Sequence, residues 1–260
     1  MVTADLHIHT NYCDGKSGIE EIVISAIEKG LKVVGISSHG FTEFDTSYCI
    51  RQEKIPDYIK EIEGLKKKYK DKIKVLAGIE RDLMSSAKTD MYDYVIGSMH
   101  YVKAGDKYYS LDTKPEGFRE IVNTVFGGDI YFLAEQYYSE LSKALKVTKV
   151  DIIGHFDLIT KYNEDGGLFD TNHPRYKAAW QKAIDEIVNL NIPFEINTGA
   201  ISRGYRTAPY PSLDIIEYIR DKGGKFILSS DSHSADTVAY QLSDWAEKLA
   251  HLKLNILNTK

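Results

Sequence analysis

Seven short runs rich in aliphatic and β-branched residues recur along the chain, each followed by a segment with helical periodicity, and this alternation restricts the fold more than any other feature. The runs are Ala4 to His9, Val33 to Ser38, Val75 to Glu80, Tyr94 to His100, Asp151 to His155, Pro193 to Asn197 and Lys225 to Ser230. The spacing of apolar residues predicts helices at about Ile19 to Lys29, Pro56 to Tyr69, Pro115 to Val125 with Tyr131 to Leu145, Pro174 to Leu190, Ser212 to Asp221, and finally Asp236 to Leu252. Start and stop signals agree: Pro174 after Asn172, Ser212 before Leu213, Gly30 after Lys29, and Gly223-Gly224 after Lys222. Repeated strand–helix units imply a parallel sheet. No GxGxxG or phosphate loop marks a switch point, so closure into a (β/α)7 TIM-like barrel is expected over an open sheet. The stretch from Lys103 to Lys149 is too long for a single crossover and is expected to add a subdomain or cap over one mouth.

At 260 residues, with 43% hydrophobic residues, the chain can bury a large core, and it contains no Pro-rich or Gly/Ser-rich linker and no internal repeat. A single domain over residues 1–260 is expected, with the insertion at about 103–149. The start, MVTADLHIHT, has no basic and apolar signal pattern, and no run reaches the length of a membrane span, so no membrane partner is expected. Cys13 and Cys49 are too few for a disulfide framework, which fits a reducing, cytoplasmic location. A net charge of -5 and a pI near 5.9 argue against holding nucleic acid by general electrostatics. The lysines at 66, 67, 68, 70, 72 and 74 read as the solvated C-terminal end of a helix, where cations are favoured. Oligomeric state is left open.

Six of the seven runs deliver a metal-ligand type of residue at or just beyond their C-terminal ends. Run one gives His7 and His9, which share a face because strand side chains alternate, and a tight turn at Asp14-Gly15 follows. Run two leads to His39, run three ends at Glu80, run four at His100, run five at His155, and the last runs into Asp231 and His233. In a parallel barrel these ends meet at one face. Six of the eight histidines fall there; His173, at a helix start, and His251, in the terminal helix, are expected on the surface. So many polar groups crowded into one cavity require a cation to neutralise them. Imidazoles mixed with carboxylates suit zinc, manganese, iron or cobalt, and the nine groups exceed the needs of one ion, so two to three divalent ions are expected. Cys13 is a weaker candidate than its harder neighbour Asp14.

The segments "DLHIHTNYCDG", "GISSHG", "GIERDL", "IGSMH", "IGHFD" and "SSDSH" resemble, in order and over nearly the whole chain, the successive motifs of the polymerase-and-histidinol-phosphatase (PHP) superfamily. Within it, "IGSMHYV", the insertion containing "FLAEQYYSEL" and "EINTGAISRGYRTAPYPS" are most similar to stand-alone histidinol-phosphate phosphatases, which act in histidine biosynthesis. The resemblance implies a distorted seven-stranded βα barrel with a trinuclear site. By the same resemblance His7, His9, Glu80 and Asp231 hold one ion, Glu80 bridges to a second held by His100 and His155, and Asp14, His39 and His233 hold the third. Two departures stand out: Ser38 replaces an aspartate before His39, and Thr160, Lys161 and Tyr162 stand where an arginine is expected, making Lys161 a substitute for binding phosphate.

Three divalent ions, three carboxylates and a hydroxide leave the site about +2, which matches a phosphate monoester dianion. Metal ions supply hydroxide at neutral pH and clamp the phosphoryl oxygens. A poor alkoxide leaving group needs a proton, from Asp231 or His233. Arg203 and Arg206, after the sixth run, are candidate phosphate clamps because a guanidinium pairs two oxygens at once. Glu195 and Asn197 are expected to hydrogen-bond inside the barrel. Tyr101, Tyr108, Tyr109, Tyr131, Tyr137 and Tyr138 could wall an imidazole pocket, but helical spacing favours the core. The expected activity is hydrolysis of L-histidinol phosphate; the alternatives are a PHP phosphoesterase for nucleotides, phosphotyrosine or DNA ends, and a metal-loaded module without turnover.

Overall fold

The computed structural model describes residues 2–257. In chain order its strands are β1 (Ala4–Asp5), β2 (Val33–Ile36), β3 (Lys74–Asp82), β4 (Tyr94–Ser98), β5 (Tyr101–Ala104), β6 (Lys107–Ser110), β7 (Ile152–Ile153), β8 (Phe194–Asn197) and β9 (Phe226–Ser229). Seven of them form one sheet in the order β1-β2-β3-β4-β7-β8-β9, and every paired neighbour is parallel. The edges meet just beyond β1 and β9, where His9 N–H donates to the Ser232 carbonyl at 2.7 Å and Ser232 N–H to the His7 carbonyl at 3.1 Å. The sheet is therefore a nearly closed, distorted barrel.

A buried carboxylate ties this seam. Asp5 accepts from Ser230 N–H at 3.0 Å, Ser230 Oγ at 2.5 Å and Ala239 N–H at 2.8 Å, while burial pushes its pKa up against those bonds. Inside the barrel, Tyr94 fills the space below the mouth and donates to the Leu6 carbonyl at 2.5 Å. Its ring fits because Gly35 and Gly78 face it; a Cβ on either would overlap the ring.

The outer layer follows the helical pattern. Helix α1 (Ile19–Glu28) buries Ile19, Ile22, Val23 and Ala26, and α2 (Ile55–Lys68) buries Tyr58, Ile62 and Leu65, the one-face spacing of an amphipathic helix. The basic end of α2 is paired: Lys66 with Glu63 and Asp93, Lys68 with Glu20. After the β5–β6 hairpin come α3 (Pro115–Val125) and α4 (Ile130–Val147). Helix α4 buries Leu133, Ala134, Tyr137, Tyr138 and Leu141 and packs along α5 (Pro174–Ile187), so it takes the crossover position between β4 and β7. The extra material over that crossover is the hairpin and α3.

Short α6 (Gly199–Ser202) and α7 (Leu213–Asp221) precede α8 (Leu242–Lys248). The last helix is shorter than its apolar spacing predicts. Ala239 and Gln241 take left-handed φ values of 55° and 53°, and Asp5 draws the Ala239 N–H out of any helical ladder. No helix among the described residues is long and apolar enough to cross a membrane.

Candidate metal centre

The residues that follow the strand ends converge on a cavity of about 570 Å3 at the C-terminal mouth. Glu80, on β3, is its hub and is 1% exposed. Its Oε2 lies 2.8 Å from His39 Nδ1, 3.4 Å from His7 Nε2 and 3.5 Å from His9 Nε2. Its Oε1 lies 2.9 Å from His155 Nε2 and 3.5 Å from His100 Nε2. Asp231 approaches from the opposite side, with Oδ1 3.1 Å from His9 Nε2 and 3.7 Å from His7 Nε2. It is held at a φ of 47°, a costly conformation for a non-glycine residue, which aims the carboxylate inward. Asp14 completes the outer part, 3.7 Å from His39 Nε2 and 3.4 Å from His233 Nε2.

Three groupings of potential ligand atoms emerge, each within 4.8 Å: His7, His9 and Glu80; His39, Glu80 and His100; and His9, Asp14, His39 and His233. His7 Nε2, His9 Nε2 and Glu80 Oε2 are buried and have no hydrogen-bond partner. Buried polar atoms are otherwise paired almost without exception. Orphaned lone pairs facing one space, from imidazoles and carboxylates, form a donor set that fits a divalent cation.

Electrostatics point the same way. Burial opposes ionisation of Glu80, yet His7, His39 and His100 hold its pKa well below the usual carboxylate range. Asp231 is likewise held low by Arg203 and His7 against the effect of burial. His9 is driven well below the ordinary imidazole value by burial and by neighbouring His233 and His39, so it is a neutral ligand at neutral pH.

Further side chains orient these groups. Asp82 accepts from His100 N–H at 3.0 Å and faces its Nδ1 at 3.1 Å; Glu195 lies 2.6 Å from His7 Nδ1. Asp82 was invisible in the sequence because it lies two residues past Glu80 on the same strand, where only the β3–β4 register brings it under His100. Ser38 bonds Thr10 Oγ1 at 2.8 Å rather than His39, whose Nδ1 faces Glu80 Oε2 at 2.8 Å. Cys13 Sγ is 3.6 Å from His9 Nδ1 and donates to the Thr10 carbonyl at 3.3 Å; it stands outside the three groupings, and burial and Asp14 push the thiol up to about 11.

Arg203 lines the cavity, with Nη2 3.0 Å from Asp231 Oδ2 and Nη1 3.0 Å from His233 Nδ1. Lys161 also lines it and pairs closely with Asp112, a residue from the segment after β6 that sequence reasoning missed; its ammonium sits 4.5 Å from the Tyr205 ring centre. Arg206 does not reach the cavity. Its guanidinium is buried against the Tyr210 ring at 4.5 Å and donates to Thr160 Oγ1 at 2.5 Å, so the expectation of a second arginine clamp is corrected: the loop turns it inward beside Asp157. Tyr101, Tyr108, Tyr109, Tyr131, Tyr137 and Tyr138 do not line the cavity, whereas Tyr205 does. His173 caps α5 and stacks on Tyr131 at 3.7 Å, and His251 is exposed on the Lys248 carbonyl.

The chain is 27% identical to a Deinococcus radiodurans protein named "Probable histidinol-phosphatase", over 94% of this chain and 92% of the relative. It is 24% identical to Histidinol-phosphatase of Bacillus subtilis, over 95% of this chain and the whole of the relative. Among solved structures, the Lactococcus lactis histidinol phosphate phosphatase complexed with zinc, L-histidinol and phosphate superposes with a TM-score of 0.70 at 21% identity, covering 98% of this chain and 95% of that one. The PHP domain family model matches residues 5–199, three-quarters of the length, with β9, Asp231 and His233 lying beyond the matched stretch. Strand order, mouth and family model agree: this chain belongs to the PHP domain family.

Proposed function

We propose that this chain hydrolyses L-histidinol phosphate to L-histidinol and phosphate at a centre of two to three divalent ions. One observation carries the reading: His7 Nε2, His9 Nε2 and Glu80 Oε2 are buried without partners and close together, and Glu80 lines a cavity that Arg203 also lines. The names of full-length relatives, and the zinc, histidinol and phosphate in the Lactococcus lactis complex, supply the substrate and favour zinc over manganese, iron or cobalt.

In this reading His7, His9, Glu80 and Asp231 hold one ion, Glu80, His100 and His155 a second, and Asp14, His39 and His233 a third. Bound divalent ions lower the pKa of water and neutralise phosphoryl oxygens. The chain's own residues do the rest. Arg203, anchored on Asp231, presents its guanidinium at the cavity, where it can pair two phosphoryl oxygens. Lys161 lines the same cavity as a further cation, held in place by Asp112 and Tyr205. Asp231 and His233 flank Arg203; Asp231 is held ionised, which leaves His233 as the candidate of the two to hand a proton to the leaving oxygen. The crowding of His100 and His155 around Glu80 below leaves the substrate only the open side of the cavity.

The test is phosphate release from a panel containing L-histidinol phosphate, p-nitrophenyl phosphate, a nucleotide and phosphotyrosine. We expect kcat/KM for L-histidinol phosphate to exceed that for p-nitrophenyl phosphate by at least about a hundredfold, or about 2.7 kcal/mol, despite the latter's better leaving group. Faster turnover of the nucleotide or phosphotyrosine would assign the site to another phosphomonoester.

A further inference from the structure

Glu195, on β8, is fully buried and stands outside all three groupings of ligand atoms. Its Oε1 faces His7 Nδ1 at 2.6 Å and Ser229 Oγ at 2.5 Å. Its Oε2 accepts from the His155 backbone N–H at 2.8 Å and from Asn197 Nδ2 at 2.9 Å. One carboxylate thus ties the segment after β1 to the segment after β7, and both to the neighbouring strands β8 and β9.

The two oxygens have different freedom. The His155 N–H and the Asn197 amide nitrogen are donors only, so whatever group stands at Oε2 must accept. At Oε1 the imidazole can be either donor or acceptor, and a carboxylate resolves the choice because it can only accept. The proton of neutral His7 is therefore on Nδ1, and the lone pair is on Nε2. That nitrogen is the one left buried without a partner, 3.4 Å from Glu80 Oε2 and 3.7 Å from Asp231 Oδ1.

We infer that Glu195 is a positioning residue that holds His7 in the Nδ1–H tautomer and so commits its Nε2 to a metal ion. The inference rests on the metal centre proposed above. Glu195→Gln is close to isosteric and tests it through an asymmetry. The two donors at Oε2 claim the amide oxygen, which turns the amide NH2 toward His7 Nδ1. That nitrogen must then accept, the proton moves to Nε2, and an N–H points between Glu80 and Asp231 where a lone pair is needed.

The experiment measures zinc affinity by chelator competition, and histidine ring protonation by proton–nitrogen NMR, in zinc-loaded wild type and E195Q. We expect a His7 Nδ1–H signal in wild type and its loss in E195Q. Affinity for one equivalent of zinc should fall about 10- to 100-fold, the range for removing a partner that orients a metal ligand. Unchanged zinc affinity in E195Q overturns the inference. So does a His7 without a proton on Nδ1 in zinc-loaded wild type, a reading that stands whether or not the variant folds. Wild-type protein that binds no zinc overturns the metal centre itself, and the inference with it.

Discussion

Arg203 and Asp231 form an ion pair at the rim of the cavity, with Nη2 3.0 Å from Oδ2, while the other carboxylate oxygen of Asp231 faces His9 Nε2 at 3.1 Å. Asp231 therefore holds the arginine with one oxygen and faces the candidate metal space with the other. In the proposed reading this guanidinium is held ready for the charge that develops on the phosphoryl group, at no cost of ordering during reaction. Arg203→Met should lower kcat/KM for L-histidinol phosphate by about 2 to 4 kcal/mol, the range for losing one charged donor to a transition-state oxygen. Steady-state kinetics showing less than about a threefold loss would remove Arg203 from the machinery.

Arg206 should behave in the opposite way. It is 7% exposed, stacked on Tyr210, and its positive charge lowers the pKa of Asp157, which burial raises. Arg206→Ala removes the nearby positive charge and leaves that buried carboxylate only the Ser212 N–H and the Thr160 hydroxyl, and should cost about 1 to 3 kcal/mol of stability. Denaturant unfolding is the check. A large loss of turnover at unchanged stability would put Arg206 back at the phosphate.

Glu80 touches five imidazoles, so Glu80→Ala should abolish turnover and metal retention together. His173→Ala and His251→Ala should leave turnover near wild type, because one caps a helix and the other is exposed. Activity and bound-metal assays on the three variants decide it; damage from His251→Ala equal to that from Glu80→Ala contradicts the site.

The strand-end pattern made most of this geometry legible. A parallel barrel sends all its C-terminal ends to one mouth, so Glu80, His100, His155 and Asp231 can be placed together from their positions in apolar runs alone. Arg206 could not be placed that way. It follows Arg203 by three residues in a loop, and only the contact with Tyr210 and Thr160 decides that one arginine faces the cavity and the other the interior. Asp82 and Asp112 act through register and through an ion pair between distant segments, neither of which has a periodic signature. The apolar spacing from Asp236 to Leu252 did indicate a helix, and a buried carboxylate 234 residues away from Ala239 breaks it. Local pattern loses there to a long-range hydrogen bond.

The dependence of stability on pH should change sign with metal. Burial opposes protonation of His7, His39 and His100, but Glu195 and Glu80 beside His7, and Glu80 beside the other two, raise all three above the ordinary value of 6.5. A raised folded-state pKa adds stability that is full below 6.5 and is lost as pH rises through the folded value. His9, already lowered, stays neutral through that window and adds no slope there. Glu80 and Asp231, held low, lose their contribution only in acid, as pH falls from 4.5 and 3.8 through their depressed values. Metal-free protein should therefore become less stable as pH rises above about 6.5, whereas zinc-loaded protein should hold or gain, since binding needs deprotonated ligands. Thermal melts that run parallel with and without zinc would contradict the arrangement.

Titrating zinc into chelator-stripped protein, with bound metal and L-histidinol phosphatase activity followed at each addition, tests the metal centre most directly. The account predicts saturation at two to three equivalents, with full activity reached only after the first equivalent has bound, because the nine candidate side chains exceed what one ion can use. Full activity at one equivalent or fewer would contradict it.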